Sequence, residues 1–334
     1  MEPMGIDIKN NEIKLDMKDK RILYELDKDS RQPLSKIAKR VGLSKEVVNY
    51  RIKAMEKNGI IEGYYTALDL SKIGYMFCRV LIKLHGVSPK KEGEIINYFK
   101  SSPYVGWMFV VDGRWNLAIA VHVKNIKDWE KFCDEIMHRY GKFIADKNFS
   151  IATTIYHFKH NYLFDTNDYS QYLLGDAEKV ELAATDLKII EMLAKNARMS
   201  TTDIAKNLNL SSNAVKYRIR NMIKHNVITG FRVKINISKL SYEYYKVFLM
   251  LKDIDREKMN RLIGYLRMHP NVIYTTKAIG LADLEFEIIL KNRSELYNTL
   301  KEIKFKFSDI IKDYDTMLFT EELLVNYFPK GCLL

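Results

Sequence analysis

Cysteine is scarce in this chain. Cys78, Cys133 and Cys332 stand far apart among 334 residues, and no CxxC pair occurs. An odd, scattered set excludes a disulfide framework and a thiolate zinc site, and it suits a reducing compartment. Long apolar runs are also missing: none approaches the roughly 20 residues that a membrane helix needs. The first residues, MEPMGIDIKNNEIKLD, hold no apolar segment of signal-peptide length. A cytoplasmic protein without a membrane partner is therefore expected. No P-loop, Ser/His/Asp arrangement or paired-carboxylate motif stands out. No catalytic residue, cofactor or metal is expected from the motifs.

What is present is length, basic charge and repetition. At 334 residues the chain exceeds an ordinary single domain. Its formal net charge is +12, which suits a phosphate-rich or otherwise anionic partner. SKEVVNYRIKAMEKNGIIEGY (44–64) returns as SSNAVKYRIRNMIKHNVITGF (211–231), 167 positions later. The same offset superposes Asp19 on Asp186, Ile37-Ala38-Lys39 on Ile204-Ala205-Lys206, Pro103 on Pro270 and Gly113 on Gly280. Near the end of each unit the register slips by about two, and Asn161-Tyr162 matches Asn326-Tyr327. A period of this length over most of the chain means two copies of one folding unit.

Each unit opens with helices. Ile22, Leu23 and Leu26 mark one helix face. Ser35 and Thr202 are expected to cap the short second helices. Gly42-Leu43 and Asn209-Leu210 follow as turns. Ser44 and Ser211 are expected to cap third helices, whose inner faces carry Val48, Ile52 and Met55, and Val215, Ile219 and Met222. Helix, tight turn, helix is the helix-turn-helix arrangement. The β-prone Ile60-Ile61 and Tyr64-Tyr65-Thr66 predict a wing strand. The remainder of each unit reads βαββαβ, a ferredoxin-like order. The expected fold class is α+β, with a tail at 1–13, winged helix-turn-helix domains at 14–64 and 182–231, and ferredoxin-like domains at 65–163 and 232–330. A linker at 164–181 joins the units.

The segments DKRILYELDKDSRQPLSKIAKRVGLSKEVVNYRIKAMEKNGIIEGY and DLKIIEMLAKNARMSTTDIAKNLNLSSNAVKYRIRNMIKHNVITGF each resemble the DNA-binding part of the Lrp/AsnC (feast/famine) transcription regulators. The loops GRWNL (113–117) and GLADL (280–284) resemble the glycine-plus-Asp motif of that family's ligand and assembly (RAM) domain. The resemblance implies double-stranded DNA as partner, a possible amino-acid or similar small effector at the RAM domains, and homo-oligomers. Face-to-face packing of two RAM sheets is also implied. With both sheets on one chain, an intrachain pseudo-dimer is expected, with pairing between chains as the alternative.

A reading helix buries one side and offers the other to a groove. Ser44, Lys45, Asn49, Tyr50 and Lys53 occupy the outer face of the first copy; Ser211, Ser212, Asn213, Lys216, Tyr217 and Arg220 occupy that of the second. Asn and Arg suit base edges, whereas Lys, Ser and Tyr suit phosphates. Arg51 and Arg218 lie at the boundary, placed either to reach phosphate or to brace the helix. Residues 14–64 carry net +5 and residues 181–231 net +4, so most of the excess charge sits in the helical parts. Gly113, Arg114, Asn116, Gly280 and Asp283 are the candidate effector residues; each Gly equally suits a simple hairpin turn.

Some proteins of this two-part architecture are siroheme decarboxylases, and His122, Arg114 and His138 would be the first suspects for such a site. No dense His/Arg cluster accompanies them, and the basic charge lies elsewhere. His157-x-x-His160 has a ligand-like spacing but no third donor nearby. Trp107, Trp115 and Trp129 are expected in the core.

Overall fold

The computed structural model describes residues 6–7, 12–13, 15–164, 166, 168–175 and 178–333. The tail and the linker read from the sequence thus lie partly outside the described residues.

The elements of the first unit are β1 (Ile6–Asp7), β2 (Glu12–Ile13), α1 (Met17–Lys28), α2 (Leu34–Val41), α3 (Lys45–Lys57), β3 (Ile61–Leu68), β4 (Met76–Leu84), α4 (Pro89–Ser101), β5 (Val105–Gly113), β6 (Leu117–Val123), α5 (Ile126–Tyr140) and β7 (Ile144–His157). A short strand β8 (Tyr172–Leu174) precedes the second unit. There follow α6 (Ala184–Lys195), α7 (Thr201–Leu208), α8 (Ser212–Lys224), β9 (Ile228–Ile235), β10 (Glu243–Leu251), α9 (Arg256–Met268), β11 (Val272–Ile279), β12 (Leu284–Leu290), α10 (Arg293–Lys306) and β13 (Ile311–Val325).

Local chemistry sets the helical boundaries. Asp16 and Asp19 form a reciprocal capping box at α1. Ser44 caps α3 by accepting from the Val47 amide, and Ser211 caps α8 by accepting from the Ala214 amide. The second helices differ from expectation. Pro33, not Ser35, precedes α2 and supplies no side-chain cap, while Ser200, not Thr202, caps α7. Proline with its fixed φ starts a helix without needing a donor. Gly42 and Asn209 end these helices in the left-handed region (φ 71° and 52°) and aim the third helices away.

β3 starts against its own α3, with Ile61 in that unit's helical core, but its strand partner is not in its own unit. It pairs antiparallel with β9, its counterpart in the other unit. Tyr65 opposes Arg232, and these two residues are themselves 167 positions apart. A pseudo-two-fold axis therefore passes through this pair. Each strand packs on the opposite unit: β9 lies against α1, and β3 against α6. Val233 completes the core built on Ile22, Ile37, Val48 and Ile52. Thr66 Oγ1 donates to the Leu193 carbonyl at 2.7 Å.

The two ferredoxin-like sheets are not simply stacked face to face. They join edge to edge, β5 with β13 and β7 with β11. The order β11-β12-β10-β13-β5-β6-β4-β7 thereby closes into an eight-stranded barrel. Helices α4 and α5 cover one half and α9 and α10 the other, over cores centred on Ile119 and Phe286. Closure removes bare strand edges that would otherwise seek another chain. Gly113 and Gly280 sit at the two seams. A Cβ on Gly113 would lie 3.0 Å from the Thr316 carbonyl oxygen, and one on Gly280 would lie 2.6 Å from Ser150 Cβ; both residues have positive φ.

At the axis, Asp27 of α1 is wholly buried and accepts two bonds from Arg232, at 2.7 Å from Nε and 2.6 Å from Nη2. His157 also contacts this guanidinium, and the His160 amide donates to Asp27. HxxH is thus part of a structural knot, and no group of three metal-binding side chains occurs among the described residues. Breaking a buried pair strands a charge and costs about 3–5 kcal/mol. Asp27→Asn and Arg232→Leu should each lower unfolding free energy by roughly that amount in urea. Asp27→Asn combined with Arg232→Leu should cost less than the sum of the two single changes; strict additivity would show that the pair is not coupled.

Candidate functional site

The inner faces of α3 and α8 are anchored as the periodicity predicts: Val48, Ile52, Met55, Val215, Ile219 and Met222 are buried. On the outer faces Lys45, Lys53, Asn213, Lys216 and Arg220 are exposed, while Asn49 is half-buried. Tyr50 is 74% exposed and its counterpart Tyr217 is 72% exposed. Large side chains standing clear of the surface at equivalent positions of both helices are available to a partner. Ser44 and Ser211 serve as caps, and the Ser212 hydroxyl bonds Thr201 at 3.1 Å, tying α8 to α7.

Arg51 and Arg218 turn out to brace. Arg51 donates to Asp16 at 2.7 Å and Asp19 at 2.8 Å, and Arg218 donates to Asp186 at 2.9 Å. Each pins a third helix to the first helix of its unit, which takes these guanidinium groups out of the outward-facing set.

The five candidate effector residues lie at the barrel's hairpin rims. Asn116 accepts from the Leu84 amide at 2.8 Å, and Asp283 accepts from the Leu251 amide at 2.7 Å. The two do the same structural work, fastening a hairpin loop to the end of the next strand. Arg114 pairs with Asp146 at 2.9 Å and lies over Trp115. Gly113 and Gly280 allow close approach at the seams. None of these five lines the large cavity of the molecule.

That cavity is a chamber of about 1110 Å³ within the barrel, walled on one side by the β3–β9 ribbon. Strand alternation puts Arg79 and Lys246 on the inner face. Arg79 makes a bidentate pair with Glu285 of the opposite sheet, and Lys246 reaches Glu285 at 3.0 Å and Glu287 at 2.8 Å. Burial would raise the Glu285 carboxyl, but Arg79 and then Lys246 hold it at about 2. Beneath this charged layer the barrel is plugged by Leu81, Phe109, Trp115, Phe248 and Phe319. The inner face is therefore not uniformly apolar, as a simple sheet-packing argument expects. A trace was available in the sequence: Arg79 and Lys246 are repeat equivalents, each a cation in the middle of a largely apolar strand. Their carboxylate partners come from one unit only and left no such trace.

The siroheme suspects are not brought together. His122 borders the chamber, Arg114 lies at a rim, and His138 is exposed on α5. Trp129 is core and Trp115 is in the plug, but Trp107 lines the chamber.

A family model for winged helix-turn-helix DNA-binding domains matches residues 15–62 and 182–229. The HTH-type transcriptional regulator LrpA of Pyrococcus horikoshii is 34% identical over 130 residues, which is 38% of this chain and 87% of that one. The proline dehydrogenase transcriptional activator of Rhodobacter capsulatus is 30% identical over 122 residues, 36% of this chain and 79% of that one. The chain belongs to the Lrp/AsnC family of helix-turn-helix proteins, with the family's unit present twice. The siroheme decarboxylase NirDL, solved in complex with an iron-uroporphyrin III analogue, is similar over 95% of this chain and 96% of its own, with a TM-score of 0.62. At 15% identity that likeness is one of fold.

Two measurements follow. Arg51→Ala should lose about 1–2 kcal/mol of stability through its two charge-assisted bonds, whereas exposed Lys53→Ala should stay within about 0.5 kcal/mol; equal losses would remove the bracing role. The second concerns pH. Burial lowers His122 to about 4; burial also lowers His160 to about 4 against the pull of Asp27, and His157 well below its ordinary value, with Arg232 adding to the effect. The unfolded chain therefore binds more protons as pH falls from 6.5 towards 4. Burial would raise Asp27, but Arg232 holds it below its ordinary 3.8, so its loss comes only at lower pH. Melting temperature should fall through the histidine window and be flat above about pH 7; a flat profile down to pH 4.5 would contradict the buried-neutral assignment.

Proposed function

We propose that this chain is a sequence-specific DNA-binding transcription regulator of the Lrp/AsnC type, carrying both halves of a DNA reader in one polypeptide. The observation that carries this is the pair of equivalent recognition helices, α3 and α8, with outward-facing Lys53 and Tyr50, and Arg220 and Tyr217, related by the axis through Tyr65 and Arg232. A two-fold arrangement of such helices addresses half-sites about one turn, roughly 34–36 Å, apart. The two outer faces differ, with Asn49 opposite Lys216 and Glu46 opposite Asn213. The operator read by one chain is therefore an imperfect palindrome. An amino-acid or similar effector and further association of chains are part of the proposal. Tyr297 and Phe305 of α10, at 61% and 85% exposed, offer apolar surface for association.

The enzymatic alternative has the chamber in its favour. Against it stand the dispersal of His122, Arg114 and His138 and the engagement of Arg79 and Lys246 by glutamates.

The proposal is tested by binding to labelled genomic fragments, including DNA upstream of the chain's own gene, over a salt series. A footprinted site with a log–log salt slope of magnitude roughly 4–8 is expected. Lys53→Ala should weaken binding evenly and reduce the slope by about 1. Arg220→Ala should remove protection at one half-site. No preference over random DNA at about 100 mM salt would overturn the regulator reading.

A further inference from the structure

The chamber combines three features that no DNA-reading role requires. Its wall is aromatic, with Tyr65, Trp107, Tyr244, Tyr274, Phe319 and Tyr327 among the lining residues. Its charge is unbalanced. Among the described lining residues the permanent cations are Arg79, Lys234 and Lys246, against six carboxylates. Each of those cations is already paired: Arg79 with Glu285, Lys246 with Glu285 and Glu287, and Lys234 with Glu322 and with Glu62 at 3.2 Å. Third, polar atoms on the lining lack partners. His160, 9% exposed, has no hydrogen-bond acceptor or donor for Nε2, and the Tyr162 hydroxyl is likewise buried and unpartnered.

These features select a ligand by chemistry. A volume of about 1110 Å³ is at or just above the upper end of drug-sized ligand sites, roughly 300–1,000 Å³. Ring faces with surplus carboxylates attract cations and reject anions. A polycarboxylate would meet no unpaired cation among these three and would have to draw each from the carboxylates it already holds. His160 Nδ1 lies 3.3 Å from an Asp27 carboxylate oxygen, which favours the proton on Nδ1 and leaves Nε2 to accept from an N–H group. We propose that the barrel chamber is a binding site for a lipophilic aromatic cation carrying an N–H donor. Glu321, and the excess of Glu62 and Glu322 over the one Lys234 they share, attract it, and the aromatic wall holds it. Tyr65, Val233 and Lys234 belong to the ribbon that joins the two reading heads. Occupancy therefore also bears on the spacing of α3 and α8. That coupling rests on the regulator reading; binding itself does not.

The test uses the full chain and rhodamine 6G polarisation, with tetraphenylphosphonium, neutral N-phenyl-1-naphthylamine and iron-uroporphyrin III as competitors. Saturable binding is expected, displaced by tetraphenylphosphonium, at least about tenfold less well by the neutral amine, and not by iron-uroporphyrin III. Ala152→Trp, which fills the chamber from β7, should reduce affinity by about tenfold or more. Glu321→Lys, an exposed change, should reduce it by about threefold or more at low salt. If the tryptophan variant fails to melt cooperatively, the Glu321→Lys result decides. Absence of saturable binding, displacement by iron-uroporphyrin III, or equal affinity in Glu321→Lys overturns the proposal. DNA footprinting with and without tetraphenylphosphonium is read separately, so loss of DNA binding in every condition counts against the regulator reading and not against the ligand site.

Discussion

Strand edges govern this molecule. A βαββαβ sheet has two outer strands whose outward amides and carbonyls need partners, and the segment after each helix-turn-helix has an edge of its own. Two units on one chain pair both outer strands of each sheet, β5 with β13 and β7 with β11, and give β3 and β9 one partner each. The backbone pairing fixes the rest. It makes the barrel and so the chamber, it places the pseudo-axis at Tyr65 and Arg232, and it sets the two reading heads on either side of one ribbon. The seam glycines follow from the same constraint, because Gly113 and Gly280 stand where a Cβ would meet the facing strand.

Duplication inside one chain also permits asymmetry that a true dimer cannot have. At the axis a symmetric protein would place two identical residues. Here Arg232 is buried against Asp27, while Tyr65 stacks on Tyr327 with ring centroids 4.1 Å apart. The repeat position of Asp27 is Ala194, so the ion pair occurs once. The same freedom appears inside the barrel. Arg79 and Lys246 are equivalents, yet Glu285 and Glu287 answer both from a single strand. One consequence is a chamber with a polarity of charge; another is two recognition helices with different outer faces.

Much of the local structure was legible in the residues. The apolar period placed α3 and α8 with their inner faces correct, and serines in front of them cap as their chemistry requires. The βαββαβ order read after each helix-turn-helix is present in both units. Ser35 and Thr202 misled because a Pro start and a competing Ser200 moved the caps forward. Arg51 and Arg218 were open to two roles, since a long guanidinium at a helix boundary reaches either way. The carboxylates that settle the matter lie on α1 and α6.

The sequence alone determined that one unit is written twice, that each unit is helix-turn-helix followed by βαββαβ, and that basic charge gathers on the helical parts. These are properties of neighbours along the chain: period, cap and turn. Which edge pairs with which, that α1 rests on β9 and α6 on β3, that Asn116 and Asp283 fasten loops, and that an aromatic, carboxylate-rich chamber opens behind the ribbon, were decided only by tertiary structure. Those facts depend on contacts between residues more than 100 positions apart, and an interior is defined only once both units have closed around it.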